Sequence, residues 1–279
     1  GDYAEVKGEQ FVNIDSSDMT EALWQALASR VQEVADRDDV DGIVITHGTD
    51  TMEETAYYLN LTVHTRKPVV LTGSMRPATA ISADGPLNLL EAVQAAADAA
   101  LGDCGVVIVM NSVIHSARFV EKTDTTHVDT FKASQLGCLG YMQDGRVRLY
   151  QKPLRQHTFS SDLVSPLTLP AVAVVYAYVG LRAEDVVQLA RGKEGLVMAG
   201  LGHGKMPAPV WTALQPLMED GLVVVRAARS LGGLVTPVPS YDGTVTADSL
   251  TPQKAKILLQ LALCRTKDLS EIQAFFDAY

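Results

Sequence analysis

The sequence predicts an α/β protein, with a larger N-terminal doubly wound sheet domain followed by a smaller C-terminal α/β domain. Three observations carry this expectation. Short runs rich in β-branched residues recur at 43–46, 69–72 and 106–110, each the length of a buried strand. Between and before them lie stretches long enough for helices, at 19–35, 52–62 and 86–101. The alternation resumes with apolar runs at 172–176, 195–199 and 223–226 and closes with a helix pair after Pro252. Strands alternating with helices fold as a parallel sheet covered by helices.

Each element has a local reason. In 19–35 the apolar residues Leu23, Trp24, Leu27, Val31 and Val34 fall at helical spacing, and Asp18 and Glu21 mark its start. Gly42, Ile43, Val44 and Ile45 form a continuous apolar run, the pattern of a parallel strand covered on both faces. Thr51 with Glu54 reads as a capping box opening the helix at 52. Pro86 suits the first position of the next helix. Within 136–152 the segment GYMQDGRVRLYQK alternates around Asp144 and Gly145, which predicts a β-hairpin. That hairpin closes a first domain spanning 1–155. Residues 156–170 turn polar, with Ser160, Ser161, Ser165, Pro166 and Pro170, and read as a linker. The second domain then spans 171–279.

Composition narrows the function classes. With 279 residues, 47% of them hydrophobic, the chain can bury one large or two modest cores. A net charge of −10 argues against nucleic acid or an anionic membrane surface as partner. No run of about 18 apolar residues predicts a membrane-spanning helix. Cys104, Cys138 and Cys264 show no CxxC spacing, and the odd number argues against a disulfide framework. The six histidines form no HxxxH or HExxH pattern, so neither a metal nor another cofactor is expected, and His115 and His157 read as surface or satisfied core residues. Asn60, Leu61 and Thr62 spell a glycosylation sequon at a helix end, where it carries little weight. Gly200, Gly202 and Gly204 give a GLGHG turn after a strand, but the rest of a dinucleotide fingerprint does not follow.

The most informative stretch is DGIVITHGTDTMEE at 41–54. A buried strand runs into a polar turn and straight into a helix, which is where open α/β sheets place ligands. Thr46, His47, Gly48, Thr49, Asp50 and Thr51 put hydroxyl, imidazole and carboxylate groups at the strand's carboxyl end. One such residue suffices to cap a helix. The surplus of oxygen-bearing side chains, with a glycine that opens the backbone to a ligand, points to a site.

These residues carry a family resemblance. THGTDTMEE at 46–54, TGSMRPATAISADGPLN at 72–88, Lys122 within EKTDTTHVDTFKA and the closing DSLTPQKAKILLQLAL together resemble the bacterial-type L-asparaginase and glutaminase-asparaginase family, in the family's order and from about Gly8 to Tyr279. The resemblance implies an amidohydrolase that converts L-asparagine to L-aspartate and ammonia through a threonine acyl-enzyme. It implies a triad of Thr49, Asp50 and Lys122, in which the lysine accepts or relays the proton of a hydroxyl that is otherwise a poor nucleophile. It places Ser16 on the substrate carboxylate, with Ser17 beside it, Asp50 on the α-ammonium, Ser74 facing the side-chain amide, and backbone N–H groups near Gly48 on the oxyanion. It also implies a homotetramer built from close dimers, with Lys205 and Ser240 contributed by a neighbouring subunit.

The sequence departs from the family pattern in places. The family's opening TGGTI strand, whose first Thr is the primary nucleophile, and the Tyr-bearing loop after it are not in this sequence, and the expectation is that it lists a fragment of a longer protein. Ser17 stands where Gln or Glu is common. GHGK replaces GNGN, so His203 and Lys205 take the places of two asparagines, and Ser240 aligns with a Glu that some members send to the substrate ammonium. An added cation and a lost anion near an ammonium weaken its binding. Two alternatives stay open: a glutaminase-asparaginase of broader range, since one methylene shifts preference by only about 1–3 kcal/mol, and a non-catalytic amino-acid-binding homologue. Cytoplasm and periplasm are equally compatible with the sequence.

Overall fold

A computed structural model describes residues 3–279, which divide into two compact units, the first ending at Ser165 and the second spanning Pro166–Tyr279. In the first unit, α1 (Glu21–Ala35) precedes β1 (Ile43–Thr46), α2 (Met52–Thr62), β2 (Val69–Thr72), α3 (Gly85–Ala96) and β3 (Val106–Met110). There follow β4 (Val113–Ser116), β5 (Glu121–Lys122), β6 (Phe131–Lys132), β7 (Gly140–Gln143) and β8 (Arg146–Leu149). Six strands form one sheet in the order β1-β2-β3-β4-β7-β8, while β5 and β6 make a separate ribbon. The β1–β2 and β2–β3 pairs are parallel. The β3–β4, β4–β7 and β7–β8 pairs are antiparallel.

Strand alternation divides the core. Val70, Val107 and Val109 pack with Ala92, Ala95 and Ala96 of α3, whereas the intervening Leu71 and Ile108, also fully buried, point to the opposite face. There α2 packs on β3 and α1 packs on α2. The Asp144–Gly145 turn joins β7 to β8 with φ of 54° and 70°, the left-handed pair that a two-residue hairpin turn demands.

Several local expectations are corrected. Covering by helices holds for β1, against which both α1 and α3 pack, although Ile43, Val44 and Ile45 are only half-buried. Helix α1 begins at Glu21 rather than residue 19, because the Thr20 hydroxyl accepts the Leu23 N–H and caps it there. Pro86 is the second residue of α3, not the first. The helix expected over 86–101 stops at Ala96; Asp98 then accepts the Ala100 N–H and opens a tighter 3-10 turn at Ala99–Asp103. The Thr51–Glu54 capping box does not form: the Thr51 hydroxyl accepts no N–H of the first turn and donates to the Ser16 carbonyl at 2.7 Å. Asn60 of the sequon is 5% exposed, its side-chain oxygen accepting the Val106 N–H at 3.0 Å. Residues beyond 155 remain tied to α2: Ser161 donates to the Leu61 carbonyl, and the Tyr58 and Ser165 hydroxyls meet at 2.7 Å.

The second unit contains β9 (Val172–Tyr176), α4 (Ala183–Ala190), β10 (Gly195–Gly200), α5 (Ala208–Glu219), β11 (Val223–Ala228), β12 (Val245–Thr246), α6 (Pro252–Leu263) and α7 (Leu269–Ala278). Its four strands run parallel in the order β12-β11-β10-β9. Leu196, Met198 and Val224 pack with Val186 and Ala190 of α4 and with Val210 and Leu214 of α5. Helix α6 packs against β9, β10 and β11 and α7 against β12. No described helix is long and apolar enough to cross a membrane.

Candidate active site at the end of the first strand

The site forms where β1 ends and α2 begins. The turn of residues 47–51 is fixed by hydrogen bonds and close backbone contact from three directions. From one side comes a 3-10 turn, Ser16–Asp18, opened by Asp15, which accepts both the N–H and the hydroxyl of Ser17. The Ser16 hydroxyl accepts the Asp50 N–H at 3.2 Å, and the Ser16 carbonyl accepts the Thr51 hydroxyl. This close approach needs a glycine: a Cβ on Gly48 would lie 2.6 Å from the Ser16 hydroxyl oxygen and 2.8 Å from its Cβ.

From beneath, His47 anchors the turn to α1 and α2. The Trp24 indole donates to the Thr55 hydroxyl at 2.9 Å, and the Thr55 hydroxyl meets His47 Nε2 at 3.0 Å. His47 Nδ1 meets the Gly48 carbonyl at 2.7 Å. A carbonyl only accepts, so Nδ1 carries the proton and Nε2 accepts from Thr55. The neutral ring satisfies the whole chain of donors and acceptors. Burial pushes the imidazole below its usual range, against the smaller opposing pull of the Gly48 carbonyl.

From the third side comes the turn after β2. A Cβ on Gly73 would lie 2.3 Å from the His47 carbonyl oxygen, so the two turns touch through backbone. Asn88, 2% exposed, holds this second turn: its amide donates to the Gly73 carbonyl and to Asp84, and its oxygen accepts the Asn111 N–H at 3.0 Å. Asp84 accepts the N–H groups of Met75 and Arg76, both at 2.9 Å. Ser74 stands exposed between them.

Lys122 enters from the β5–β6 ribbon. Its ammonium donates to the Thr49 hydroxyl at 3.0 Å and forms an ion pair with Asp50. The lysine side chain is 16% exposed and the Asp50 carboxylate 60%, so one partner is sheltered and the other is open to a ligand. The ribbon is stiffened by Thr130, whose hydroxyl accepts the Asp124 N–H and donates to the Asp124 carbonyl. On the backbone side the Lys122 N–H donates to the buried Glu53 carboxylate at 2.5 Å.

Thus Ser16, Gly48, Thr49, Asp50 and Lys122 come together, with Ser74 on the adjoining turn. Ser17 is turned to Asp15 instead. Lys205 and Ser240, both exposed, belong to the second unit. There the His203 ring nitrogen accepts the Thr236 N–H at 3.1 Å, and the Tyr241 hydroxyl accepts the Met206 N–H at 3.2 Å. Fully buried Arg226 donates to the His203 and Thr236 carbonyls and to the Thr244 hydroxyl, and lies over the Tyr241 ring. The glycines of GLGHG serve this local packing: a Cβ on Gly200 would lie 2.4 Å from the backbone of Gly204. Among the described residues no three His, Cys, Asp or Glu side chains gather as a metal-ion ligand set, and the three cysteines are unpaired.

The sequence profile described as "Asparaginase, N-terminal" matches residues 1–155, and that of the "Glutaminase/Asparaginase C-terminal domain" matches 171–276. The chain belongs to the asparaginase family. It is 46% identical over 287 residues to L-asparaginase 2 of Escherichia coli (strain K12), covering 100% of this chain and 81% of that relative. L-asparaginase 2 of Bacillus subtilis (strain 168) is 44% identical over 284 residues, covering 100% of this chain and 75% of the relative. The glutaminase-asparaginase of Pseudomonas fluorescens biotype A is 41% identical over 285 residues, covering 99% and 78%.

In this family member the residues that hold the turn were not all foreseen. Asn88 and Asp84 are the clearest omissions. Asp84 before a Gly-Pro helix start has the look of a cap, and Asn88 one turn later lies on the same helix face; no local pattern announces that Asn88 reaches Gly73 and Asn111.

Proposed function

We propose that this chain is an amidohydrolase that converts L-asparagine to L-aspartate and ammonia. The observation that carries the reading is the Lys122 ammonium donating to the Thr49 hydroxyl and pairing with Asp50, at the carboxyl end of a parallel strand. Hydrolysis runs as two transfers. A threonine hydroxyl adds to the side-chain carbonyl and ammonia leaves, giving an ester; water then cleaves the ester, giving the carboxylate and restoring the hydroxyl. These steps need Lys122 as the neutral amine, which takes the proton of the attacking hydroxyl or water through the Thr49 hydroxyl and yields it to the departing ammonia or alcohol, while Asp50 holds the lysine in place. The exposed Asp50 carboxylate suits the substrate ammonium, the Ser16 hydroxyl its carboxylate, and the N–H groups near Gly48 the oxyanion.

Relatives named for asparagine alone and for both amides support asparagine as the substrate, with a broader range that includes glutamine as the alternative. The assembly assigned is a homotetramer of close dimers, in which Lys205 and Ser240 come from a neighbouring subunit; neither nucleic acid nor membrane is assigned as a partner.

The test is ammonia release from L-asparagine by the wild type and by Lys122→Ala. The variant should lose at least about a thousandfold in kcat, the scale of a missing proton-transfer partner, while keeping its circular dichroism spectrum. Near-wild-type kcat in that variant would sink the triad.

A further inference from the structure

Glu53 is an ionisable side chain that the chemistry above does not use. It lies in the first turn of α2 and is 5% exposed. A carboxylate that deep needs its oxygens occupied. One of them, Oε2, accepts the backbone N–H of Lys122 at 2.5 Å, across 69 residues of chain. Lys122 is thereby attached twice to one continuous piece of backbone. Its main chain is held by Glu53 in α2, and its ammonium meets Thr49 and Asp50 in the turn that leads into α2. A lysine has a flexible four-carbon stem, so where its nitrogen can reach depends on where its Cα is fixed. The β5–β6 ribbon carrying that Cα is only two residues long on each strand and is separate from the main sheet. It cannot fix the lysine to the turn by strand pairing.

We infer that Glu53 is the positioning residue of this site: its carboxylate sets the Lys122 backbone at the distance from which the ammonium spans Thr49 and Asp50. The inference rests on the reading of Lys122 as the group that handles the proton. Glu53 touches neither substrate nor reacting atoms in this role; it acts through the lysine. Misplacing a reacting group by about 1 Å costs on the order of a hundredfold in rate, and the loss falls on kcat because Ser16, which meets the substrate carboxylate, and the backbone that carries Asp50 are held to each other without Glu53.

The experiment compares wild type, Glu53→Gln, Glu53→Met, Glu53→Asp and Lys122→Ala, reading kcat and KM for L-asparagine together with hydrogen exchange of the Lys122 amide by NMR. Glu53→Gln keeps an acceptor oxygen at the same reach and should hold kcat within about threefold. Glu53→Met removes the acceptor and should lower kcat about ten- to a hundredfold, with KM within about twofold and the Lys122 amide exchanging at least about tenfold faster while amides of β2 and β3 stay protected. Wild-type kcat in Glu53→Met, or a loss in Glu53→Gln as deep as in Glu53→Met, overturns the inference. Should Glu53→Met not fold, Glu53→Asp decides: it keeps the charge but withdraws the carboxylate by one methylene, and kcat within twofold of wild type there overturns the inference. Retained activity in Lys122→Ala defeats the functional reading instead, and the amide exchange then still reports whether Glu53 holds the lysine backbone.

Discussion

Asn88 shows how much of this site depends on side chains that never meet a substrate. Three of its hydrogen bonds tie the start of α3 to the turn after β2 and to the β3–β4 turn. Its replacement by Ala would leave the Gly73 carbonyl and the Asn111 N–H without their partner in a part-buried setting. Orphaned groups of that kind cost about 1–3 kcal/mol each, so Asn88→Ala should destabilise the first unit by about 2–4 kcal/mol, read as a shift of the urea midpoint at unchanged slope. A shift below about 0.5 kcal/mol would mean the turn is held by Asp84 alone. His47 works on the same principle in the other direction: its ring is kept neutral because both nitrogens already have a role, one donating and one accepting.

Among the elements, the junction of β1 and α2 is the one the proposed chemistry uses, and its precision comes from glycines that let neighbouring backbones touch. Gly48→Ala would drive a methyl group into Ser16. Steady-state kinetics should show KM for L-asparagine raised at least about tenfold, since overpacking of about 1–3 kcal/mol is relieved most readily by displacing Ser16. An unchanged KM would remove Ser16 from the substrate's carboxylate. Much of this element scale was legible beforehand: the bounds of β1, α2, β2, β3 and β9 match the apolar runs, and Asp144–Gly145 announced its hairpin. What was not legible has physical causes. Two-residue strands such as β5 and β6 have no periodicity to detect, and α5 is masked by Pro207, Pro209 and an interior Pro216, residues that ordinarily argue against a helix. The Glu53–Lys122 bond spans too much chain for any local signal. Ser16, Thr49, Asp50 and Lys122 were named through family motifs; the spacing of the turn alone left a helix cap as an equal explanation.

Across the whole molecule, the buried titratable groups set how stability responds to acid. Burial holds the imidazoles of His47 and His157 below their ordinary value of 6.5. The unfolded chain therefore binds protons at these positions before the folded one does, and stability falls as pH drops below about 6.5. Glu91 acts in the opposite sense: burial raises its carboxyl above 4.5, so the unfolded chain releases that proton first and stability falls as pH rises from about 4.5. The expected profile, measured as thermal midpoint against pH, declines from pH 7 toward 5.5. His47→Gln should flatten that decline, and an unaltered slope in the variant would show that His47 is not among the groups responsible.

The sequence holds two tryptophans, and the fold gives one to each unit. Trp24 is buried, stacked on Tyr58 with ring centres 5.3 Å apart, and its indole N–H begins the chain of hydrogen bonds that ends at the Gly48 carbonyl. Trp211 is half-buried and packs edge-on against Tyr241, the ring over which Arg226 lies. The protein thus carries its own pair of fluorophores in different surroundings, the first emitting from an apolar pocket wired to the turn between β1 and α2, the second from beside the cationic hub of the other unit. Emission from one can be followed with the other replaced by phenylalanine, so that melting of the two halves becomes two separate optical signals rather than one blended trace.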